Sequence, residues 1–332
     1  ANVWEKDLDS PESAAEALEK VLEVAPDNVA ALLSLARVHE RNERWDDASE
    51  VLERAAANAH EPSEIAEIHF RNATILRSKG AGSTEIEAAL LRAVDADAGH
   101  RPTLEALEKL ARDGKDDERL ANILDLQLHT AADDGERGRL LREISGLYSG
   151  PLAQPAAALP YLERLVALDP TEIPGREQLA EALLAAGRTD QATRIISEVI
   201  AELTKARRGK ETARWQTRLG TIAEARGDTE GAAASFNAAY KLDPSHPATI
   251  AALGRLAYRS SDFDGARKFY RSLLLQNFDD KTAGVSKSEV YLMLGRMHLL
   301  ANEPAKARNM FERGLEIDPK NIDLKAALGG LR

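Results

Sequence analysis

The side chains of this sequence that could do chemistry are its seven histidines, its 55 carboxylates and its arginines. A metal would need histidines or carboxylates at ligand spacing on one helix face. His39 and His298 each close an apolar helical stripe, a core position, and His60, His69, His100, His129 and His246 have no recurring ligand-type partner at i, i+4. No metal site is expected. Cysteine is absent, which excludes disulfides, thiolate metal sites and cysteine nucleophiles and leaves the redox compartment open. Gly209-Lys210-Glu211 lacks the upstream glycine spacing and the hydroxyl residue of a phosphate loop, and Gly80-Ala81-Gly82-Ser83 lacks the lysine. No nucleotide cofactor is expected, nor any other. None of the carboxylates falls in an expected apolar pocket that would set an acid against a base. The sequon Asn72-Ala73-Thr74 lies inside a helical stretch rather than a loop. No catalytic residue emerges, and the chain reads as non-enzymatic. Arginine remains, and its chemistry is the bidentate recognition of carboxylates.

What the arginines can do depends on the elements that carry them. Apolar residues make up 43% of the 332 positions and charged residues 30%, with only 5% aromatic, a mixture suited to close-packed, alanine-rich helices. The formal charge of -11 opposes a phosphate backbone, so nucleic acid is excluded as the expected partner. No apolar run approaches the roughly eighteen residues of a membrane span, and residues 1–20 lack the basic start and apolar core of a secretory signal. The cytoplasm is the expected location, with the periplasm as the alternative. Arginine in excess of lysine, beside abundant alanine, points to a GC-rich bacterial genome.

Self-similarity organises the chain. Leu168-Asp169-Pro170, Leu242-Asp243-Pro244 and Ile317-Asp318-Pro319 recur at intervals of 74 and 75 residues, each interval holding two units of about 37 residues. Val24-Ala25-Pro26 and Ala96-Asp97-Ala98 fall near the same grid. Within a unit, apolar and small residues recur at offsets of three and four, so each unit is expected to be a pair of amphipathic helices, with no strand-like alternation. Tyr291, Leu294, Gly295 and His298 share one face of a first helix, and Ala307, Phe311 and Gly314 share one face of a second. The same register holds for Ile250, Leu253, Gly254 and Ala257 with Ala266, Tyr270 and Leu273, and for Leu32, Leu35, Ala36 and His39 with Ala48, Leu52 and Ala55. Eight hairpins are expected, at 28–60, 62–98, 102–132, 134–170, 171–205, 208–244, 245–278 and 284–319, with part-repeats at 11–25 and 320–332. Irregularities are expected at 62–98, from an extra turn at Gly80–Ser83, at 102–132, from a shortened first helix, and at 134–170, from Pro155 and Pro160. Replacing Phe311 or Leu35 by alanine should cost about 2–5 kcal/mol, and replacing Arg255 almost nothing.

With small residues at Ala36, Gly220, Gly254 and Gly295 and large residues facing them, this spacing resembles the tetratricopeptide repeat over nearly the whole chain. The resemblance implies an all-α, right-handed superhelical solenoid of antiparallel helix hairpins spanning 1–332 as a single domain, expected to be a fragment of a longer protein. It also implies that the first helices line a concave groove that docks a protein or peptide. Candidate groove residues are then Leu33, Arg37, Arg41, Phe70, Arg77, Arg112, Arg142, Arg214, Arg255, Tyr258, Arg259, Leu292 and Arg296. The arginines would make the groove more basic than the exterior and draw an acidic partner, and the apolar members would anchor it. The competing reading is that these arginines are solvated or paired with Glu40, Glu105 and Glu224 on the same or neighbouring helices. The family's chaperone-binding branch grips a terminal carboxylate with lysine and asparagine four residues apart. This chain has Leu33 with Arg37 and Phe70 with Thr74 at those positions, so that clamp is not expected. The polar stretch 279–284 is expected to be a mobile insertion, or else a contact loop. The expected function is a non-catalytic interaction scaffold. The alternative is a regulatory or substrate-recruiting arm of a larger enzyme or of a secretion or motility assembly.

Overall fold

The computed structural model describes residues 11–331, and all regular structure among them is helical. Helix α1 (Pro11–Val24) precedes the first hairpin, α2 (Val29–Arg41) with α3 (Trp45–Asn58). Then follow α4 (Pro62–Lys79) with α5 (Ser83–Ala96), α6 (Arg101–Gly114) with α7 (Asp117–His129), and α8 (Asp134–Ser149) with α9 (Pro155–Leu168). A second compact unit begins at Thr171, after a first that ends at Pro170. It contains α10 (Ile173–Ala185) with α11 (Thr189–Lys205), α12 (Gly209–Ala225) with α13 (Thr229–Leu242), and α14 (Pro247–Arg259) with α15 (Phe263–Leu274). The one-turn helix α16 (Asp280–Ala283), the last hairpin α17 (Lys287–Leu300) with α18 (Pro304–Ile317), and α19 (Ile322–Gly329) complete it. Among the described residues these helices make an all-α helical repeat solenoid.

One backbone device closes nearly every hairpin. A residue just past the end of the first helix turns into the left-handed region, and the next N–H reaches back five residues to a carbonyl of the last turn. Arg44 N–H donates to His39 O at 2.9 Å, Arg188 to Leu183 at 2.8 Å, Asp228 to Ala223 at 3.0 Å, Asp262 to Ala257 at 2.9 Å and Glu303 to His298 at 2.8 Å. Glycine supplies the positive φ at Gly187 and Gly227, where it carries no steric penalty, while Glu43, Ser261 and Asn302 adopt it as non-glycine residues. Side chains then start the second helix: Asp228 and Asp262 accept from the N–H groups of Gly231 and Gly265 at 2.8 and 2.9 Å. At the far end of the hairpin, Asp169, Asp243 and Asp318 are extended, with ψ of 89°, 89° and 86°. The following proline imposes that conformation and stops the helix, which is why the Asp-Pro marker recurs.

Small residues let the paired helices touch. A Cβ built on Gly295 would stand 2.2 Å from the Phe311 ring, one on Gly220 2.7 Å from Phe236, and one on Gly254 3.0 Å from Tyr270. Phe236 and Phe311 are fully buried and Tyr270 nearly so. In the first unit the core runs through Leu32, Leu35, Ala36, Leu52 and Ile68, with no aromatic ring among its buried members.

Two expected irregularities are absent. The first helix of the third hairpin, α6, is a full 14 residues, and Lys115 takes the left-handed position that ends it. Segment 279–284 is an ordered turn rather than a mobile insertion: Asp279 caps α16, Phe278 and Ala283 are buried against the neighbouring hairpin, and the Lys287 ammonium lies 5.3 Å from the centre of the Phe278 ring. Pro160 stays inside α9, with its ring exposed, and the helix continues to Leu168.

Candidate functional site

The candidate arginines sit on the first helices, and four of them, Arg112, Arg214, Arg255 and Arg259, pair with a carboxylate from the neighbouring first helix. In the first unit Arg71 donates to Glu40 at 2.6 Å, His100 lies 3.2 Å from Glu67, Arg101 bridges to Glu136 at 3.1 Å, and Arg112 engages Glu108 on its own helix and Glu143 on α8. The second unit repeats the pattern. Arg214 donates to Glu177 at 2.8 Å and Arg218 to Glu181 at 2.7 Å, joining α12 to α10. Arg255 holds Glu224 through two bonds of 3.1 and 2.8 Å, and Arg259 adds a third at 2.7 Å, joining α14 to α12. Apart from Arg112–Glu108, each pair spans a hairpin-to-hairpin junction, so within each unit the charges form a ladder that fixes the register of successive first helices.

Geometry separates the thirteen candidates. Arg112, Arg214, Arg255 and Arg259 are spent on the ladder. Arg37 and Arg142 are exposed and neither is free. Among the described residues Arg41, Arg77 and Arg296 are exposed and have no ion-pair partner. Leu33 is half-buried; Phe70 packs edge-on against His100 with centroids 5.7 Å apart; Tyr258 does the same against Phe263 at 5.6 Å. Leu292 is not a groove residue. It is 6% exposed and packs with Ala307, Phe311 and Leu324, because α17 is covered both by its own partner α18 and by α19. Thr217, another residue on a first helix, is buried with its hydroxyl 2.6 Å from that of Thr249.

The strongest ladder rung has an electrostatic consequence. Hydrogen bonding from Arg255 outweighs burial and holds the Glu224 carboxyl below its ordinary pKa. Glu224 is only 13% exposed, so removing Arg255 leaves a nearly buried carboxylate served by Arg259 alone. Contrary to the expectation from sequence, Arg255→Ala is expected to destabilise by about 1 kcal/mol near pH 7. A depressed carboxylate contributes stability that is present above its unfolded pKa and lost as pH falls through the folded value. The difference between wild type and variant should therefore shrink in urea melts as pH is lowered through and below the ordinary glutamate range.

Several site residues escaped the sequence reading. Trp215 is buried, its indole N–H donating to Glu177 while the Arg214 guanidinium lies 5.3 Å from its ring centre. Asn72 is buried, accepting from Ser49 at 2.7 Å and donating to Glu53 at 2.7 Å. A detectable signal existed for the first set: Glu177 and Glu181 on one first helix and Arg214 and Arg218 on the next have the same spacing and are offset by one repeat. Among the described residues no three histidines, aspartates or glutamates converge as a metal site, and no helix is long and apolar enough to cross a membrane.

Models of the tetratricopeptide repeat match residues 7–69, 153–211 and 223–284, and another matches 288–321. The chain belongs to the tetratricopeptide-repeat family. No curated protein matches it. Among solved structures, this tetratricopeptide-repeat chain is similar to PilF from Pseudomonas aeruginosa, at 12% identity and a TM-score of 0.43 over 82% of this chain and 100% of that one. It is also similar to MamA from Desulfovibrio magneticus RS-1, at 16% identity and a TM-score of 0.45 over 57% and 99%. The third is the Cut9–Hcn1 hetero-tetramer of APC/C, at 14% identity and 0.42 over 91% and 69%.

Proposed function

We propose that the chain is a protein-interaction scaffold whose first-helix face docks a protein or peptide partner. The observation that carries the reading is the division of labour among the first-helix arginines. Arg112, Arg214, Arg255 and Arg259 are neutralised by inter-hairpin pairs, whereas Arg41, Arg77 and Arg296 are exposed without a counter-ion among the described residues. Arg41 and Arg77 on the first helices of the first unit, and Arg296 on a first helix of the second, are the cations that recognise acidic groups, and half-buried Leu33, Phe70 and Tyr258 are the apolar residues of first helices that would anchor the partner. The partner is accordingly acidic and carries apolar anchors, and binding should weaken with salt.

The test uses a variant in which Arg41, Arg77 and Arg296 are changed to glutamate, leaving every ladder pair intact, and a control with Glu312→Arg on the exposed side of a second helix. A partner captured by the wild type from lysate of the source organism should be lost by the triple variant and retained by the control, with circular dichroism melts of all three alike. Retention by the triple variant and loss by the control would refute the first-helix face as the binding surface.

A further inference from the structure

A different surface of the second unit has the makings of a recognition site. Between α15 and the α17–α18 turn lies an open cleft of 580 Å³ lined by Arg267, Lys268, Arg271, His298, Glu303 and Lys306 among others. Beside it, and sharing Arg267 and Asp264, a smaller cleft of 290 Å³ is lined by Phe263, Met297 and Leu300. Four cations face the larger cleft, in a chain whose formal charge is -11.

The carboxylates present do not answer all of that charge. Glu303 accepts from Lys306 at 2.7 Å and from the buried His298 Nδ1 at 2.6 Å, and these hydrogen bonds hold its carboxyl at a pKa of about 2. Asp264 is taken by Arg267 one helical turn away. Arg271 has no carboxylate partner among the described residues: its Nη2 lies 3.4 Å from His298 Nε2, which accepts while Nδ1–H serves Glu303. Lys268 is exposed without an ion-pair partner among the described residues. Two cations thus stand uncompensated on one side of the network that His298 anchors. Next to them, Leu300 is 60% exposed at the rim of the smaller cleft and Leu275, on the rim of the larger, is 90% exposed.

We propose that this pair of clefts binds an acidic peptide segment of a partner protein, its carboxylates on Lys268 and Arg271 and an apolar side chain between Phe263 and Leu300. A polynucleotide fits worse, since two free cations cannot track a phosphate backbone and the rest of the acidic chain repels one. The site is separate from the first-helix face, and its failure would leave the proposal for that face standing.

The probe is a labelled peptide, acetyl-Glu-Glu-Phe-Leu-Glu-Glu-amide, titrated with the intact chain by fluorescence anisotropy. Saturable binding is expected, weakened at least about tenfold by Lys268→Glu and by Arg271→Gln, and changed less than about twofold by Arg41→Glu with Arg77→Glu. Lys268→Glu is the safer variant, since its side chain holds nothing else in place; an unchanged thermal melt confirms the fold. Replacing the phenylalanine and leucine of the peptide by serine should cost about fivefold or more. Absence of binding at protein concentrations up to about 1 mM would overturn the proposal. So would equal affinity of the serine peptide, or displacement of the probe by millimolar inorganic phosphate, either of which would reduce the cleft to a general anion site.

Discussion

Phe311→Ala is expected to remove about 3–5 kcal/mol of stability, among the largest losses any single truncation in the second unit should give. The ring is fully buried among Leu292, Ala307 and Leu324, and one of its edges rests on the bare Cα of Gly295. Truncation therefore opens a void on a side where the facing residue has no side chain to move in, and partial collapse, the usual relief for a large-to-small change, is blocked. Because each hairpin buries its apolar face only against its neighbours, the damage should stay local. Hydrogen exchange should show protection lost over 287–329 and largely kept over 209–259, with urea unfolding reporting the free energy. A loss below about 1 kcal/mol would mean that the ring is not the wedge between these helices.

Gly295→Ala should also destabilise, by about 1–3 kcal/mol, although alanine is the better helix former by about 1 kcal/mol. The added methyl would stand 2.2 Å from one ring carbon of Phe311 and 2.5 Å from another, so a fully buried ring would have to move. Overpacking wins over propensity here. Gly146 in α8 is the contrast, since a Cβ there meets no atom within 4 Å, and Gly146→Ala should be neutral or stabilising in the same melts. Combining Gly295→Ala with Phe311→Leu should recover part of the loss, because the smaller side chain vacates the space that the methyl needs.

These two positions also explain what was legible in the sequence. The pairing of a small residue on one helix with a large one on the next is a local pattern with a fixed period, and it located Gly220 with Phe236, Gly254 with Tyr270 and Gly295 with Phe311, each pair in contact. The Asp-Pro marker was readable for the same reason, since proline acts on the residue immediately before it. Lys115, Ser261 and Asn302 were harder, because a left-handed turn occupied by a non-glycine residue leaves no compositional trace. The first helix of 102–132 was expected to be short, whereas α6 has 14 residues. Ordering of 279–284 was missed because it depends on Phe278 and Ala283 being buried by another hairpin, a tertiary effect that a polar sequence conceals.

The candidate site was legible by face and not by partner. Helical periodicity put the arginines on first helices, but which of them are neutralised depends on carboxylates 31 to 37 residues away on the preceding or following hairpin. Leu292 was misplaced because the periodicity of α17 identifies one buried face, whereas α19 covers a second. Arg255 was undervalued for a related reason: its cost lies in the nearly buried Glu224 that it would leave behind.

The central claim, that partners dock on the first-helix face, is tested most directly by site-specific photo-crosslinking. A benzophenone side chain is placed at Thr74, exposed on α4, and in a separate sample at Asn237, exposed on the second helix α13. With the captured partner present, a covalent adduct is expected from Thr74 and none from Asn237. An adduct from Asn237 with none from Thr74 would contradict the account and move the binding surface to the second helices.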